Sequence, residues 1–324
     1  MINEELTIIS KYKNILNLNL SGKVVLSEIG SGPFMFPGII AAVCNSAKVY
    51  LWTKDSQYGS AKTLVRNFKD YLRKWKIGGN FIFRTNERPI SDINSSDIVT
   101  NLGFIRPINE SFLSKMNKYA VISTMSESWE FRDSDIDLEF CKSNSIKVAG
   151  VWENHPKLKI FDRCGDLALK LVKMANFDIN GKKVMIISGD NFGSVIYKKF
   201  SNLSEDIDLV NPEEVINWDS NVYDLIFIAD YISEKTIIGK EGSLRLEHSS
   251  RIQIIHLAGV VDINYANKSN LNVFPNTNGY HHRMTYTLAL IGNQEVIKLH
   301  MAGLKVGELL HNNETSDLVQ VLSI

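Results

Sequence analysis

Cysteine is scarce in this sequence, and its arrangement excludes a regular disulfide framework. Only Cys44, Cys141 and Cys164 occur, they lie far apart, and none belongs to a C-x-x-C pair. An odd number of scattered cysteines is typical of reduced thiols in an intracellular protein. The first segment starts with acidic residues and has no long apolar core, so it does not resemble a signal peptide, and we expect a cytoplasmic protein.

Long apolar runs and an excess of charge of one sign are also absent. No run approaches the roughly 18 apolar residues of a membrane-spanning helix, so we expect no membrane partner. The 36 basic side chains balance the 36 acidic ones. Nucleic-acid binding usually requires a basic face, so we expect no nucleic-acid partner either. Neither C-x-x-C nor H-x-x-x-H pairs occur, and we predict no metal site.

What the sequence does have is two series in which short apolar segments alternate with amphipathic ones. KVYLW and NFIFRT belong to the first series, and VMIIS and YDLIFIAD to the second. This alternation predicts an α/β protein with two Rossmann-like or flavodoxin-like parallel-sheet domains and an interdomain cleft. We place an N-terminal domain at 1–152 and a nucleotide-binding domain at 153–283, with helices from 284–324 packing back on the first. Three glycines are candidates to interrupt those helices: Gly292, Gly303 and Gly307.

The segment MIISGDNFG, 185–193, has the pattern of a strand followed by the tight turn that opens a dinucleotide-binding helix. The usual fingerprint of this turn is G-x-G-x-x-G. Ser188 and Asp190 occupy its first two glycine positions, and Gly193 occupies the third. Free N–H groups at a helix N-terminus attract a pyrophosphate, but a carboxylate at Asp190 repels it unless the side chain points away. A nucleotide site and a purely structural turn are therefore both open.

The chain contains, in this order, Ile136-Asp137 with IKVAGV, INGKKVMIISGDNFG, YDLIFIADY and RIQIIHLAGVVDIN. With these motifs it resembles the D-2-hydroxyacid dehydrogenase superfamily. Ile136-Asp137 and IKVAGV match the end of that family's first domain, and INGKKVMIISGDNFG matches its glycine turn. YDLIFIADY and RIQIIHLAGVVDIN match two later motifs. The resemblance implies a two-domain oxidoreductase that uses NAD or NADP. The cofactor contacts that we expect are Gly189, Asn191, Phe192, Gly193, Ser194, Asn211, Ala229, Asp230 and Gly259.

The catalytic residues of that family are not matched in this chain. The family's arginine falls at Ala258 and its histidine at Asn276. An apolar methyl group cannot orient a substrate carboxylate. We therefore predict that His281 and His282 handle protons, with His256 as a further candidate, because histidine titrates near neutral pH. A structural role is the alternative for each of the three.

Polar residues that follow strands of the first series are candidates for substrate binding. Arginine binds carboxylates through paired hydrogen bonds, so we predict a small polar metabolite that bears a carboxylate. The candidates are Asn101, Arg106, Glu127, Trp129, Arg132 and Arg283, the last beside the histidine pair.

The stretch SEIGSGPFMFPG offers a competing site. It contains Glu28, Gly30 and Gly32, and it resembles E-x-G-x-G, the first motif of S-adenosylmethionine-dependent methyltransferases. In that family the glycine loop lies against the methionine part of the ligand, and an acidic residue ends the next strand. Here Trp52 falls near that acidic position, and Asp55 comes slightly later.

Three functions follow from these patterns. The leading one is a divergent NAD(P)-dependent oxidoreductase that acts on a small polar metabolite in the interdomain cleft. The second is an S-adenosylmethionine-dependent, methyltransferase-like enzyme that uses the loop from Glu28 to Gly32. The third is a non-catalytic two-domain binding or scaffold protein, and a homodimer is a further expectation. Fold alone cannot choose among them.

Overall fold

The computed structural model describes residues 4–244, 246 and 251–321. It contains two mostly parallel sheets, of seven and five strands, so the predicted α/β fold class is confirmed. The chain divides into two compact units. Unit 1 comprises Met1–Ile160 and Gly292–Ile324, and unit 2 comprises Phe161–Ile291. Unit 1 is therefore built from two chain segments that are separated in the sequence by unit 2.

The elements follow one another in βα order through most of the chain. The helices of the described residues are α1 (Glu4–Leu16), α2 (Phe36–Val43), α3 (Ala61–Trp75), α4 (Ile90–Asn94), α5 (Glu110–Leu113), α6 (Leu138–Ser143), α7 (Cys164–Met174), α8 (Asn191–Phe200), α9 (Ile263–Lys268) and α10 (Asn293–Asn312). The strands are β1 (Val24–Glu28), β2 (Lys48–Thr53), β3 (Phe81–Thr85), β4 (Ile98–Thr100), β5 (Val121–Ser123), β6 (Lys147–Val151), β7 (Lys183–Ile187), β8 (Asp206–Val210), β9 (Leu225–Ala229), β10 (Thr236–Ile238), β11 (Gln253–Ala258), β12 (Val260–Val261), β13 (Asn272–Phe274) and β14 (Val319–Val321). None of these helices combines the length and the apolar character needed to cross a membrane.

The sheet of unit 1 has the strand order β14-β6-β5-β4-β1-β2-β3. Strand β14 pairs antiparallel with β6, and the other pairs are parallel. The chain adds β2 and β3 on one side of β1 and then returns to add β4, β5 and β6 on the other. The strand order therefore reverses between β1 and β4. In open parallel sheets, ligands bind at the carboxyl ends of the strands at such a switch point.

Helices cover both faces of this sheet. Val25 and Leu26, successive residues that point to opposite faces of β1, are both fully buried. On one face, Phe68 of α3 packs against the rings of Phe81 and Phe83, with centroids 5.5 and 5.8 Å away. This double covering explains why the strands of unit 1 are short runs of apolar residues rather than alternating ones.

Helix α10 is continuous through Gly303 and Gly307, two of the three glycines that are candidates to interrupt it. A Cβ atom at Gly303 would run into the side chain of Met125, and one at Gly307 would lie 2.6 Å from Ile98. These glycines therefore allow α10 to pack closely on the sheet, and that packing stabilises the helix. Gly292, with φ of 130°, directly precedes the first residue of the helix.

The main sheet of unit 2 has the order β13-β11-β9-β7-β8, and its pairs are parallel. Strand β8 lies on one side of β7, and the chain then crosses to β9 on the other side. The switch point of this sheet therefore lies between β7 and β9. Ile187 of β7 and Ile228 of β9 are fully buried, and polar residues follow both strands at the carboxyl edge.

We expect Phe68→Ala to destabilise unit 1 strongly. Phe68 is fully buried, and truncating a buried phenylalanine leaves a cavity that costs about 3–5 kcal/mol. Urea unfolding followed by circular dichroism measures this loss. Tyr58→Ala is the control: Tyr58 is 66% exposed, so its truncation should change the unfolding free energy by less than about 0.5 kcal/mol. An equal loss in the two variants would contradict the packing described for α3.

Candidate functional site

In unit 2, Asp190 lies where a dinucleotide-binding fold has its phosphate turn. It is the N-cap residue of α8, and its Oδ1 accepts a hydrogen bond from the N–H of Phe192 at 2.9 Å. Its Oδ2 accepts from the N–H groups of Tyr231 at 2.6 Å and Ile232 at 3.3 Å, in the loop after β9. One carboxylate therefore joins the turn after β7 to the loop after β9, across the switch point of the sheet.

Side-chain oxygens also occupy other N–H groups of this turn. Ser188 Oγ accepts from the N–H of Gly193 at 3.0 Å, and Asp230 Oδ1 accepts from the N–H of Gly189 at 3.0 Å. A Cβ atom at Gly193 would lie 2.7 Å from both Leu209 and Ser188. The third glycine of the fingerprint is therefore required for close contact between helix and strand.

The two aspartates at this turn differ in exposure, because Asp230 is buried and Asp190 is half-buried. Burial raises the pKa of the Asp190 carboxyl above its usual range, while the N–H donors act in the opposite direction. Burial also raises the pKa of Asp230, and the negative charge of Asp190 adds to that rise. Asp230 is 1% exposed. Each carboxylate therefore makes it less favourable to place a further negative charge nearby.

The turn does not fit the diphosphate of NAD or NADP in this conformation. A diphosphate binds through free N–H groups at this position, whereas side-chain oxygens here accept from the N–H groups of Gly189, Phe192 and Gly193. The carboxylates of Asp190 and Asp230 also carry charge of the same sign as a phosphate. Three N–H donors of the turn are therefore occupied, and two carboxylates lie where the cofactor would place its diphosphate.

The other predicted cofactor residues lie along the same edge of the unit 2 sheet. Asn211 follows β8, and its side chain accepts a backbone N–H two residues later at 3.0 Å. Asn191 and Ser194 are exposed on the first turn of α8. Ala229 is the buried last residue of β9, and Gly259, with φ of 116°, follows β11. These residues share an edge with Asp190, and a Cβ atom at Gly189 would lie 3.3 Å from Asp230 and 3.8 Å from Asn211.

The predicted catalytic histidines lie beside the loop that Asp190 binds. The N–H of His282 donates to the carbonyl of Tyr231 at 2.7 Å, and the two rings stack with centroids 5.4 Å apart. The ring of His281 lies 5.2 Å from that of His282, and its Nε2 lies 4.0 Å from a carboxylate oxygen of Glu234. The structure therefore brings both histidines to the carboxyl edge of unit 2, next to the predicted cofactor turn.

His256 has a different environment, because it lies inside β11 and is fully buried. Its Nε2 lies 3.0 Å from the carbonyl oxygen of Pro275. A carbonyl only accepts, so Nε2 carries the proton. Nδ1 has no hydrogen-bond partner in the part of the chain that the structure describes, and burial lowers the pKa of this histidine. Burial therefore favours the neutral ring, and the contact of Nε2 with the Pro275 carbonyl joins β11 to the loop around Pro275.

In unit 1, Glu28 occupies the switch point as the last residue of β1. It is 5% exposed, and its carboxylate accepts a hydrogen bond from the N–H of Phe104 in the loop after β4. Burial raises the pKa of Glu28 to about 7, while the Phe104 N–H and the cations Arg106 and Lys54 act in the opposite direction. Glu28 therefore exchanges a proton near neutral pH, which suits acid–base chemistry.

Arg106 and Arg132, two of the predicted substrate residues, share a single carboxylate. Arg106 binds Asp135 through Nη1, and Nε of Arg132 lies 3.1 Å from the same oxygen. A Cβ atom at Gly103 would lie 3.8 Å from both Arg106 and Glu28, so these two side chains flank one glycine. Two guanidinium groups therefore share one aspartate here, and arginine is a side chain that binds anionic groups through paired hydrogen bonds.

The remaining predicted substrate residues have partners of their own. Asn101 Oδ1 accepts a backbone N–H from the loop after β5 at 2.8 Å. Glu127 accepts from the indole N–H of Trp129 at 2.6 Å. Arg283 belongs to unit 2, where its guanidinium lies over a tyrosine ring, 5.9 Å from the centroid. No three His, Cys, Asp or Glu side chains of the described residues are placed to hold a metal ion.

Sequence reasoning missed three residues that surround Glu28 and Arg106, namely Lys54, Phe104 and Asp135. Asp135 is 29 positions from Arg106, so no local pattern connects them. Phe104 could have been found from the strand order, because the order β3-β2-β1-β4 places the loop after β4 beside the end of β1. The sequence shows the carboxyl group of Glu28 within the motif E-x-G-x-G. It does not show the burial that raises the pKa of this group.

Comparison with protein-family models and with curated proteins finds no match. Among solved structures, the A chain of dipicolinate synthase from Bacillus subtilis is similar, with 14% sequence identity, 92% of this chain and 97% of that chain covered, and a TM-score of 0.51. A "putative D-3-phosphoglycerate dehydrogenase oxidoreductase" from Ralstonia solanacearum has 9% identity, 84% and 96% coverage, and a TM-score of 0.53. At these identities the likeness concerns the fold, which is that of two-domain Rossmann-like enzymes.

We expect Glu28→Gln to remove a pH-dependent loss of stability. The pKa of Glu28 rises from 4.5 to about 7 on folding, so ionisation favours the unfolded chain once the pH exceeds 4.5. The unfolding free energy of the wild type should therefore fall relative to that of Glu28→Gln between pH 4.5 and pH 8, by on the order of 3 kcal/mol. Urea unfolding of both proteins at the two pH values measures this change. A difference that stays constant with pH would show that Glu28 titrates normally.

Proposed function

We propose that this chain is an enzyme whose ligand site lies at the carboxyl edge of the unit 1 sheet, around Glu28, and that S-adenosylmethionine is the ligand that this site takes. The observation that carries the proposal is the position of Glu28: a buried carboxyl group at the switch point, on an E-x-G-x-G loop, with Arg106 and Lys54 nearby. Open parallel sheets bind ligands at the point where the strand order reverses.

The carboxyl group of Glu28 and the cations near it are complementary to the ammonium and carboxylate groups of an amino acid. An ammonium group beside Glu28 would favour its ionised form, because a nearby positive charge lowers the pKa of a carboxyl. Arg106 and Lys54 are the cations that would accept the α-carboxylate of the same ligand. The methionine part of S-adenosylmethionine has this pair of charges. When bound, this cofactor supplies an activated carbon group for transfer.

The glycine loop leaves room for such a ligand beside Gly32. Gly32 has φ of 55° and is exposed, and no atom of the described residues lies within 4 Å of the position that its Cβ would take. Gly30 is different, because its Cβ would lie 2.7 Å from Phe34. The open side of the loop is therefore at Gly32, and Phe34 fills the other side. Asp55, which follows β2, is exposed at the same edge of the sheet and is the candidate acidic partner for a ribose.

An NAD(P)-dependent oxidoreductase that acts on a small, polar, carboxylate-bearing metabolite is the second candidate. The similarity in fold to a protein that is called a dehydrogenase favours it, and so does the pairing of His281 with His282 at the edge of unit 2. It ranks second because a diphosphate would have to displace the carboxylate of Asp190. The third hypothesis, a non-catalytic scaffold, predicts that the chain binds neither cofactor.

We expect S-adenosylmethionine to bind the wild-type protein and to bind Arg106→Gln more weakly. Loss of a charge-assisted hydrogen bond costs about 1.5–3 kcal/mol, which corresponds to a roughly tenfold to hundredfold loss of affinity. Isothermal titration calorimetry measures both affinities. Arg73→Gln is the matched control, because Arg73 is an exposed arginine of α3 whose side chain is 77% accessible, and this variant should bind like the wild type.

The same titrations separate the three functions. Binding of S-adenosylmethionine that Arg106→Gln weakens and Arg73→Gln does not supports the site around Glu28. If NADH binds and S-adenosylmethionine does not, the proposal is wrong and the redox hypothesis takes its place. If neither ligand binds at millimolar concentration, the scaffold hypothesis is favoured.

A further inference from the structure

We propose that the carboxylate of Asp190 is a built-in replacement for a ligand anion, and that unit 2 therefore binds no external diphosphate. The carboxylate fills the anion-binding position at the switch point between β7 and β9. This inference is independent of the ligand proposed for unit 1, because it concerns a different sheet.

The donors around Asp190 form the kind of site that binds an anion. Three backbone N–H groups, those of Phe192, Tyr231 and Ile232, point at its two oxygens at 2.9, 2.6 and 3.3 Å. They come from two chain segments, the start of α8 and the loop after β9. Converging N–H groups at a helix N-terminus are what a phosphate uses in this fold class. Here a side chain of the protein has taken that place.

The residues that replace the missing glycines complete this arrangement. Ser188 stands at the first glycine position of the fingerprint, and its Oγ accepts the N–H of Gly193 at 3.0 Å. Asp190 stands at the second position, where glycine would leave the space open. Asp230, after β9, accepts the N–H of Gly189 at 3.0 Å. The residues at the first two glycine positions are therefore hydrogen-bond acceptors, and together with Asp230 they occupy the N–H groups of Gly189, Phe192 and Gly193.

Electrostatic repulsion also opposes the binding of a diphosphate at this turn. Asp230 is almost wholly buried beside Asp190, so an incoming diphosphate would meet two carboxylates in a poorly hydrated place. Repulsion between like charges is screened least where water is excluded. An external anion thus has to overcome both the occupied donors and the local negative charge.

The test compares wild type with Asp190→Gly, using inorganic pyrophosphate as the probe. The variant loses the acceptor that caps α8 and holds the loop after β9, so its midpoint of thermal unfolding should fall. Pyrophosphate should then raise the midpoint of the variant by refilling the position, because a ligand bound only by the native state stabilises it. The wild-type midpoint should not move. By calorimetry, the variant should bind pyrophosphate about tenfold or more tightly than the wild type.

Asp262→Gly is the matched control. Asp262 is also an N-cap aspartate of unit 2, and its carboxylate accepts the N–H groups of Asn264 and Tyr265 at 2.9 and 3.1 Å, but all of these donors belong to one helix. This variant should lose stability without any rescue by pyrophosphate. Equal rescue of the two variants would show general stabilisation by the salt, and it would overturn the proposal.

A second variant covers the case in which Asp190→Gly does not fold. Asp190→Ser keeps a side chain that caps helices well, but its single oxygen cannot serve α8 and the loop after β9 together. It should also gain pyrophosphate binding over the wild type. Two results would overturn the proposal: wild type that binds pyrophosphate or NADH as tightly as the variants do, or folded Asp190 variants that gain no binding at all.

Discussion

Backbone N–H groups at the carboxyl edge of a parallel sheet need an acceptor, and in unit 2 a single aspartate meets this requirement for two chain segments. One carboxylate, that of Asp190, accepts from the start of α8 and from the loop after β9. Asp190 holds the backbone of Tyr231, and the ring of Tyr231 stacks on the ring of His282. The predicted catalytic histidines therefore owe their position to an aspartate that the glycine fingerprint does not include.

Unit 1 meets the same requirement in a different way. Glu28 also accepts an N–H across its switch point, from Phe104, and the cations Arg106 and Lys54 lie near it, with Asp135 bound to Arg106. Its pKa of about 7 places the change of charge within the physiological range. In unit 2 the carboxylates of Asp190 and Asp230 lie close together, whereas in unit 1 the carboxyl group of Glu28 lies beside two cations. For this reason we propose the ligand site in unit 1.

The sequence predicts most of the fold because alternation of apolar and amphipathic segments is a local property. It also locates both candidate turns, at Glu28 and at Asp190. It cannot predict where the Asp190 side chain points, since its partner Tyr231 is 41 positions away. In the same way, Gly307 is a helix breaker by local propensity, yet it lies within α10 because the helix packs on Ile98. What the sequence misses at both sites is long-range contact and the burial that shifts a pKa.

The discontinuity of unit 1 affects the way in which the chain folds during synthesis. Helix α10 is buried against the sheet of unit 1, but it follows the whole of unit 2 in the sequence. A ribosome therefore completes unit 2 while the β4, β5 and β6 region of unit 1 still lacks its covering helix. During that interval an apolar surface is exposed on the nascent chain, a state that favours aggregation and the binding of chaperones. The first segment of unit 1 reaches its complete packing only after unit 2 and α10 have both been synthesised.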